Sequence, residues 1–196
     1  MSIIDDIKFD LMNTLTPKRY KHSIGVMDTA RDMARVFGAD EEKAALAGLV
    51  HDCARDIRGE EVFQMCDKYN IYVDEICRIQ PELLHGPLGS RIAEEKYGIR
   101  DKEILDAIYW HTTGHENMAI LEKIILVADC VEPSRNYPGV DKIRYEAFRN
   151  IDRAVVLTLD STLKYVIDNS RLVHMETLKA RNYILLSEIN GARKDN

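Results

Sequence analysis

Six residues of this chain have metal-capable side chains placed within or at the end of apolar helical patterns: His22, the adjacent pair His51-Asp52, His85, His111 and Asp129. A His-Asp dipeptide alone is too short to carry weight, so its surroundings must. His22 shares a helix face with Val26 and Ala30, which turns it inward. His51 and Asp52 fall in the last turn of a helix containing Ala44, Ala45 and Gly48, residues small enough to admit a close neighbour. Adjacent helical residues point about 100° apart, so both reach one ion only if it lies beside the helix end. Asp129 sits in the apolar run Ile124 to Val131, where a carboxylate is costly unless it is paired or bound to metal. A buried arginine partner, or a role in capping the next turn, is the alternative for Asp129. Together, His22, His51, Asp52 and Asp129 are expected to grip one divalent cation.

Two imidazoles and two carboxylates without a thiolate suit iron, manganese, cobalt, nickel or zinc better than calcium or magnesium. A cation held this way makes water acidic enough to act as a nucleophile near neutral pH. His85 and His111 lie at helix ends or turns, where three readings stay open. They bind a second metal, they hydrogen-bond a phosphate and protonate a leaving group, or they are exposed capping residues. His115, in a polar loop, reads as a solvated residue.

The elements that must position these groups are helical throughout. Apolar residues recur at three and four, and no alternating strand pattern occurs. Ile4 to Leu15 reads as one helix. Thr16-Pro17 opens a second that stops at Gly38, and Asp40 caps a third that ends near Ala54. Further helices are expected over Gly59 to Tyr69, His85 to Tyr97, Asp101 to His111 and Ala119 to Val131, with a loop around Pro81. From Asp141 to Asn190 the pattern is helical with a break near Asn169-Ser170-Arg171. The expectation is an all-α bundle of eight to ten helices in a single domain spanning residues 1–190, with a frayed tail over 191–196.

With 196 residues, 45% of them hydrophobic, the chain can bury a substantial core. Asp and Glu outnumber Lys and Arg by 33 to 27, and this net charge of −6 argues against nucleic acid as a partner. A small phosphate ligand remains compatible if a few arginines line one cleft. Cys53, Cys66, Cys77 and Cys130 form no C-x-x-C pair and read as reduced and buried rather than as ligands. The N-terminus carries Asp5 and Asp6 with no basic region, and Ile120 to Val131 is too short and charged to span a bilayer, so a cytoplasmic protein is expected. The sequence leaves a homodimer open.

The blocks Lys18 to Val26, Ala47 to Arg55, Leu84 to Pro87, Ile108 to Gly114, Ala128 to Arg135 and Thr177 to Asn182 resemble the HD-domain metal-dependent phosphohydrolases, and within them the bacterial YqeK group. They occur in the expected order over most of the chain. The resemblance implies an HD-domain helical fold and a symmetrical hydrolase that splits diadenosine tetraphosphate into two ADP, with a bound metal, often iron. It assigns the metal to His22, His51, Asp52 and Asp129, and nucleotide contacts to Arg19, His85, His111, Thr112, Arg135 and the stretch from Arg171 to Glu176, which includes His174. In that stretch Met175 follows His174 where many relatives carry His-Pro, a departure from the family pattern. The chemistry expected is in-line attack of metal-activated water on a phosphorus, with Asp52 orienting the water and His85 and His111 serving the leaving ADP. Arg19 and Arg135 would clamp phosphates, although Arg19 also reads as a plain helix-surface charge. The competing readings are an HD-type nucleotidase or deoxynucleotide triphosphohydrolase, and a nucleotide or metal sensor without turnover.

Overall fold

The computed structural model describes residues 3–194, and among them it contains helices and no strand. The elements are α1 (Ile3–Thr14), α2 (Pro17–Phe37), α3 (Glu41–Val50), α4 (Glu60–Lys68), α5 (Glu75–Ile79), a 3-10 turn (Pro81–Leu84), α6 (His85–Tyr97), α7 (Lys102–Trp110), α8 (Ile120–Val131), α9 (Val140–Ala147), α10 (Ile151–Asp168) and α11 (Met175–Lys194). None of these helices is long and apolar enough to cross a membrane.

The sequence signals for helix ends act as expected. Thr16 accepts from the Arg19 amide with Pro17 in the first turn, and Gly38 ends α2 at φ 68° in the left-handed region. Asp40 accepts from the amides of Glu42 and Lys43, and Asp101 from that of Glu103. Two expectations need correction. α3 ends at Val50 rather than near Ala54, because the following residues tighten into i→i−3 bonds, Cys53 N to Val50 O at 3.0 Å and Arg55 N to Asp52 O at 2.9 Å. The segment around Pro81 is not a plain loop. It holds α5, capped by Asp74, and the 3-10 turn, both too short to show a helical period. The frayed tail expected from Gly191 lies partly outside the described residues; up to Lys194 the chain stays in α11.

The buried helix α8 forms the centre, and α2, α3, α7, α9 and α10 pack around it. Ile124, Ile125, Val127 and Ala128 are fully enclosed there. A smaller cluster of Ala54, Val62, Cys66, Cys77, Leu84 and Leu88 ties α4, α5 and the 3-10 turn to α6. α3 lies against α2 closely enough that a Cβ on Gly48 would meet Met27 Cα and Val26 O at 3.0 Å. That approach sets the spacing between His22 on α2 and the pair that follows α3.

Replacing Gly48 by Leu must therefore push α2 and α3 away from each other. We expect a loss of about 1–3 kcal/mol in urea unfolding. A loss under roughly 0.5 kcal/mol would show that the close approach is not needed.

Candidate metal centre and cleft

Three chain segments bring four donor groups together, with His51 at the centre. His22 Nε2 lies 3.0 Å from Asp129 Oδ1 and 3.3 Å from His51 Nε2. His51 Nε2 lies 3.7 Å from Asp129 Oδ1 and 3.8 Å from Asp52 Oδ2. The widest of these spacings, His22 Nε2 to Asp52 Oδ2, is 4.0 Å. Donors bonded at about 2.1 Å to one cation sit roughly 3.0–3.4 Å apart when adjacent and about 4.2 Å when opposite. His22, His51 and Asp129 form one group of that size, while Asp52 groups with His51 and His111 on the other side of the shared His51 ring. His51 and Asp52 reach it from the end of α3, and Asp129 from the last turn of α8. Each helix C-terminus adds partial negative charge of its own.

The rings are oriented from behind. His22 Nδ1 donates to Glu132 Oε1 at 2.9 Å, His51 Nδ1 to Gly48 O at 2.7 Å and His111 Nδ1 to Ile108 O at 2.7 Å. His85 Nδ1 donates to Glu82 O at 2.5 Å, an oxygen that also accepts from Arg55 Nη1 at 3.1 Å. With Nδ1 committed, each neutral ring turns a lone pair on Nε2 toward the cleft. Burial opposes ionisation of Asp52, but His51 and His85 hold its carboxyl well below the usual range. Asp129 is held low in the same way against burial by His22, His51 and Arg135. Burial likewise opposes a charge on His51, yet Asp52 and Asp129 raise its pKa. The centre attracts positive charge.

Glu132 was not singled out in the sequence. It is 1% exposed and accepts from Ser134 N at 2.7 Å and Ser134 Oγ at 2.5 Å as well as from His22. Burial works against its ionisation, and the bonds from Ser134 and His22 hold its pKa down. Gly25, one turn after His22, clears the space it needs: a Cβ there would lie 2.6 Å from Glu132 Oε2. The signal available in the sequence was an acid three residues after Asp129, at the end of the same apolar run.

His85 and His111 are buried, which removes the exposed-cap reading. Their Nε2 atoms lie 2.9 Å apart, with Thr112 Oγ1 at 3.2 Å and 3.3 Å from the two. Asp52 links them to the first group, its Oδ1 lying 3.1 Å from His85 Nε2 and 3.8 Å from His111 Nε2. Burial lowers both pKa values, and for His111 burial, with His85 and His51 adding to it, brings the value down to about 3. His115 is not a solvated residue: its Nε2 lies 2.7 Å from the buried Glu122 carboxylate, and its ring packs on Trp110. The thiols of Cys53 and Cys130 are pushed up to about 12 by burial and the adjacent Asp charge, so they stay protonated and out of the ligand set.

His22, Asp52, His85, His111, Thr112 and Asp129 line a cleft of about 990 Å³. Arg19 stands at its wall, 3.4 Å from Asp52 Oδ2 and 2.8 Å from Asp56 Oδ1. Arg135 pairs with Asp129 and lies 3.5 Å from His22 Nε2. Arg171 reaches the cleft and pairs with Glu82, in a loop tied down by two hydrogen bonds between Gln80 and the Leu172 backbone, at 3.0 Å and 2.9 Å. His174 is not brought to the cleft lining; its Nε2 faces Asp74 Oδ2 at 3.2 Å. Arg55 and Arg58 also line the cleft, without having been assigned a role from sequence.

A helical chain that gathers two imidazoles and two carboxylates, with a His-Asp pair at their centre, has the architecture of a metal-dependent hydrolase. The HD domain family model matches residues 19–134, from Arg19 to just beyond Glu132, and the chain belongs to the HD-domain family. It is 39% identical over 174 residues to the symmetrical bis(5'-nucleosyl)-tetraphosphatase of Halalkalibacterium halodurans, covering 89% of this chain and 92% of that one. The enzyme of the same name from Bacillus subtilis is 36% identical over 171 residues, covering 87% and 91%. A crystal structure from Clostridium acetobutylicum, described as a "predicted HD superfamily hydrolase involved in NAD metabolism", superposes with a TM-score of 0.91 at 44% identity, covering 93% of this chain and 97% of that one.

Removing the support behind His22 tests this orientation scheme. Glu132→Gln should weaken metal affinity by roughly 10–100-fold, read by competition with a chromophoric chelator. Gly25→Ala, which displaces the same carboxylate, should act in the same direction. Unchanged affinity in both variants would contradict the scheme.

Proposed function

We propose that this chain is a metal-dependent phosphoanhydride hydrolase that splits diadenosine tetraphosphate symmetrically into two ADP. The observation that carries the reading is the convergence of His22, Asp52 and Asp129 around the buried His51, beneath a cleft with arginines along its walls. Relatives sharing more than a third of their residues over nine-tenths of the chain bear the name of that activity.

His22, His51, Asp52 and Asp129 would hold a divalent cation, which we take to be iron and which would supply Lewis acidity toward water and phosphate oxygens. The protein's own groups do the rest. Arg19 beside Asp52 and Arg135 beside Asp129 take non-bridging phosphate oxygens with their planar forks. Asp52 turns Oδ2 toward His22 and His51 and Oδ1 toward His85 and His111, so one carboxylate orients the attacking water and the leaving side together. The lone pairs of His85 Nε2 and His111 Nε2, 2.9 Å apart beside Thr112 Oγ1, are placed to take the proton released by the attacking water and pass it to the oxygen of the departing ADP. Arg171, paired with Glu82, adds a further cation to the cleft lining.

The test is a product assay on the purified protein. Diadenosine tetraphosphate should yield ADP as the sole product. ATP with AMP would overturn the symmetrical cut; release of nucleoside or tripolyphosphate from mononucleotides would favour the other HD activities; binding without any product would make the chain a sensor. Asp129→Ala should lose metal and turnover together. His111→Ala should keep its metal and lose roughly 10²–10⁴-fold in rate. If elemental analysis shows that His111→Ala also gives up half its metal, the proton role fails and a second cation belongs beside Asp52 Oδ1.

A further inference from the structure

Arg55 stands apart from the other arginines of the cleft. Arg19 is paired with Asp52 and Asp56, Arg58 with Asp56 at 3.8 Å, Arg135 with Asp129 and Arg171 with Glu82. Arg55 is half-buried and has no carboxylate partner among the described residues. Its Nη1 donates to the Glu82 carbonyl and sits 2.9 Å from the His85 ring. A guanidinium withdrawn from water without a counter-ion is unfavourable. The imbalance is local: Arg19, Arg55, Arg58 and Arg171 share this end of the cleft with Asp56 and Glu82, once Asp52 is committed to the metal centre. A chain carrying a net charge of −6 has gathered an excess of cations here.

Beside Arg55 a hollow of about 420 Å³ opens off the main cleft. Its inner wall is apolar, made by Ile57, Val62, Pro81 and Leu88, and its rim carries the arginines. An apolar slot with a few directed polar groups is the usual form of a small-molecule site. Cations at the rim and hydrocarbon within match a nucleotide, with anionic phosphates leading to a flat base.

We propose that this hollow holds the second nucleoside diphosphate half of the substrate, with Arg55 and Arg58 on its phosphates and the base against Ile57, Val62, Pro81 and Leu88. The proposal rests on the tetraphosphatase reading and deepens it. A symmetrical cut requires two phosphates and a nucleoside on each side of the reacting centre. One half extends past Arg135, and the other passes His85 toward Arg55. The cutting position is then set by matching the reach of the two arms, because each arm accepts a nucleoside diphosphate.

The test counts product sites and measures substrate affinity. Protein purified with its resident metal should bind two ADP per chain in calorimetry. Arg55→Met and Arg58→Glu should each bind one and raise KM for diadenosine tetraphosphate by about tenfold or more, with kcat affected less. Arg58 is 76% exposed, so its variant tests the idea even if Arg55→Met fails to fold. One ADP per wild-type chain, or variants with unaltered stoichiometry and KM, would overturn the proposal. If the wild type makes no ADP from diadenosine tetraphosphate, the tetraphosphatase reading fails on its own account, and the ADP count still decides whether the hollow is a nucleotide site.

Discussion

An excess of electron-pair donors governs this fold. Nδ1 of His22, His51, His85 and His111 is fixed behind each ring, to Glu132 or to a main-chain carbonyl. Nε2 of each ring therefore turns inward, together with the carboxylates of Asp52 and Asp129. The C-terminal ends of α3 and α8 point the same way and add negative partial charge. Such a crowd repels itself unless positive charge sits among it. Arg19 and Arg135 supply some of that charge from the walls, and the raised pKa of His51 expresses the same demand. The apolar core, Gly48 and the tight turn after Val50 hold the donors in place against this repulsion.

Function follows from how Asp52 divides the site. One oxygen faces the donors that would hold a cation, and the other faces His85 and His111, whose surroundings keep them uncharged. The nucleophile side and the leaving side are thus referenced to a single carboxylate, which limits their relative drift. Glu132 acts at one remove, through His22, and Gly25 matters only because a side chain there would push Glu132 aside.

Much of this was legible in the sequence because local chemistry fixed it. Thr16-Pro17, Gly38, Asp40 and Asp101 mark helix ends through their own hydrogen bonds or φ values, and those ends lie where expected. Asp129 stood out as an acid in an apolar run, and it proves to belong to the donor cluster. What escaped depended on contacts between distant segments. Glu132 looked like the start of a proline loop, and only the approach of α2 shows that it faces His22. His115 looked solvated because its partner Glu122 is turned toward it by the cap of α8. His174 was carried toward the cleft by family likeness, but here it pairs with Asp74 at the start of α5. Arg55 was visible as a residue, yet its lack of a carboxylate could be seen only once every neighbour was placed.

The most direct measurement is an anomalous difference map from crystals of the protein purified without chelators, collected at the iron absorption edge and paired with elemental analysis. The account predicts a peak at about 2.1 Å from Nε2 of His22 and His51 and from the carboxylates of Asp52 and Asp129. A map with no peak among those four residues, in protein that nevertheless cleaves diadenosine tetraphosphate, would contradict it.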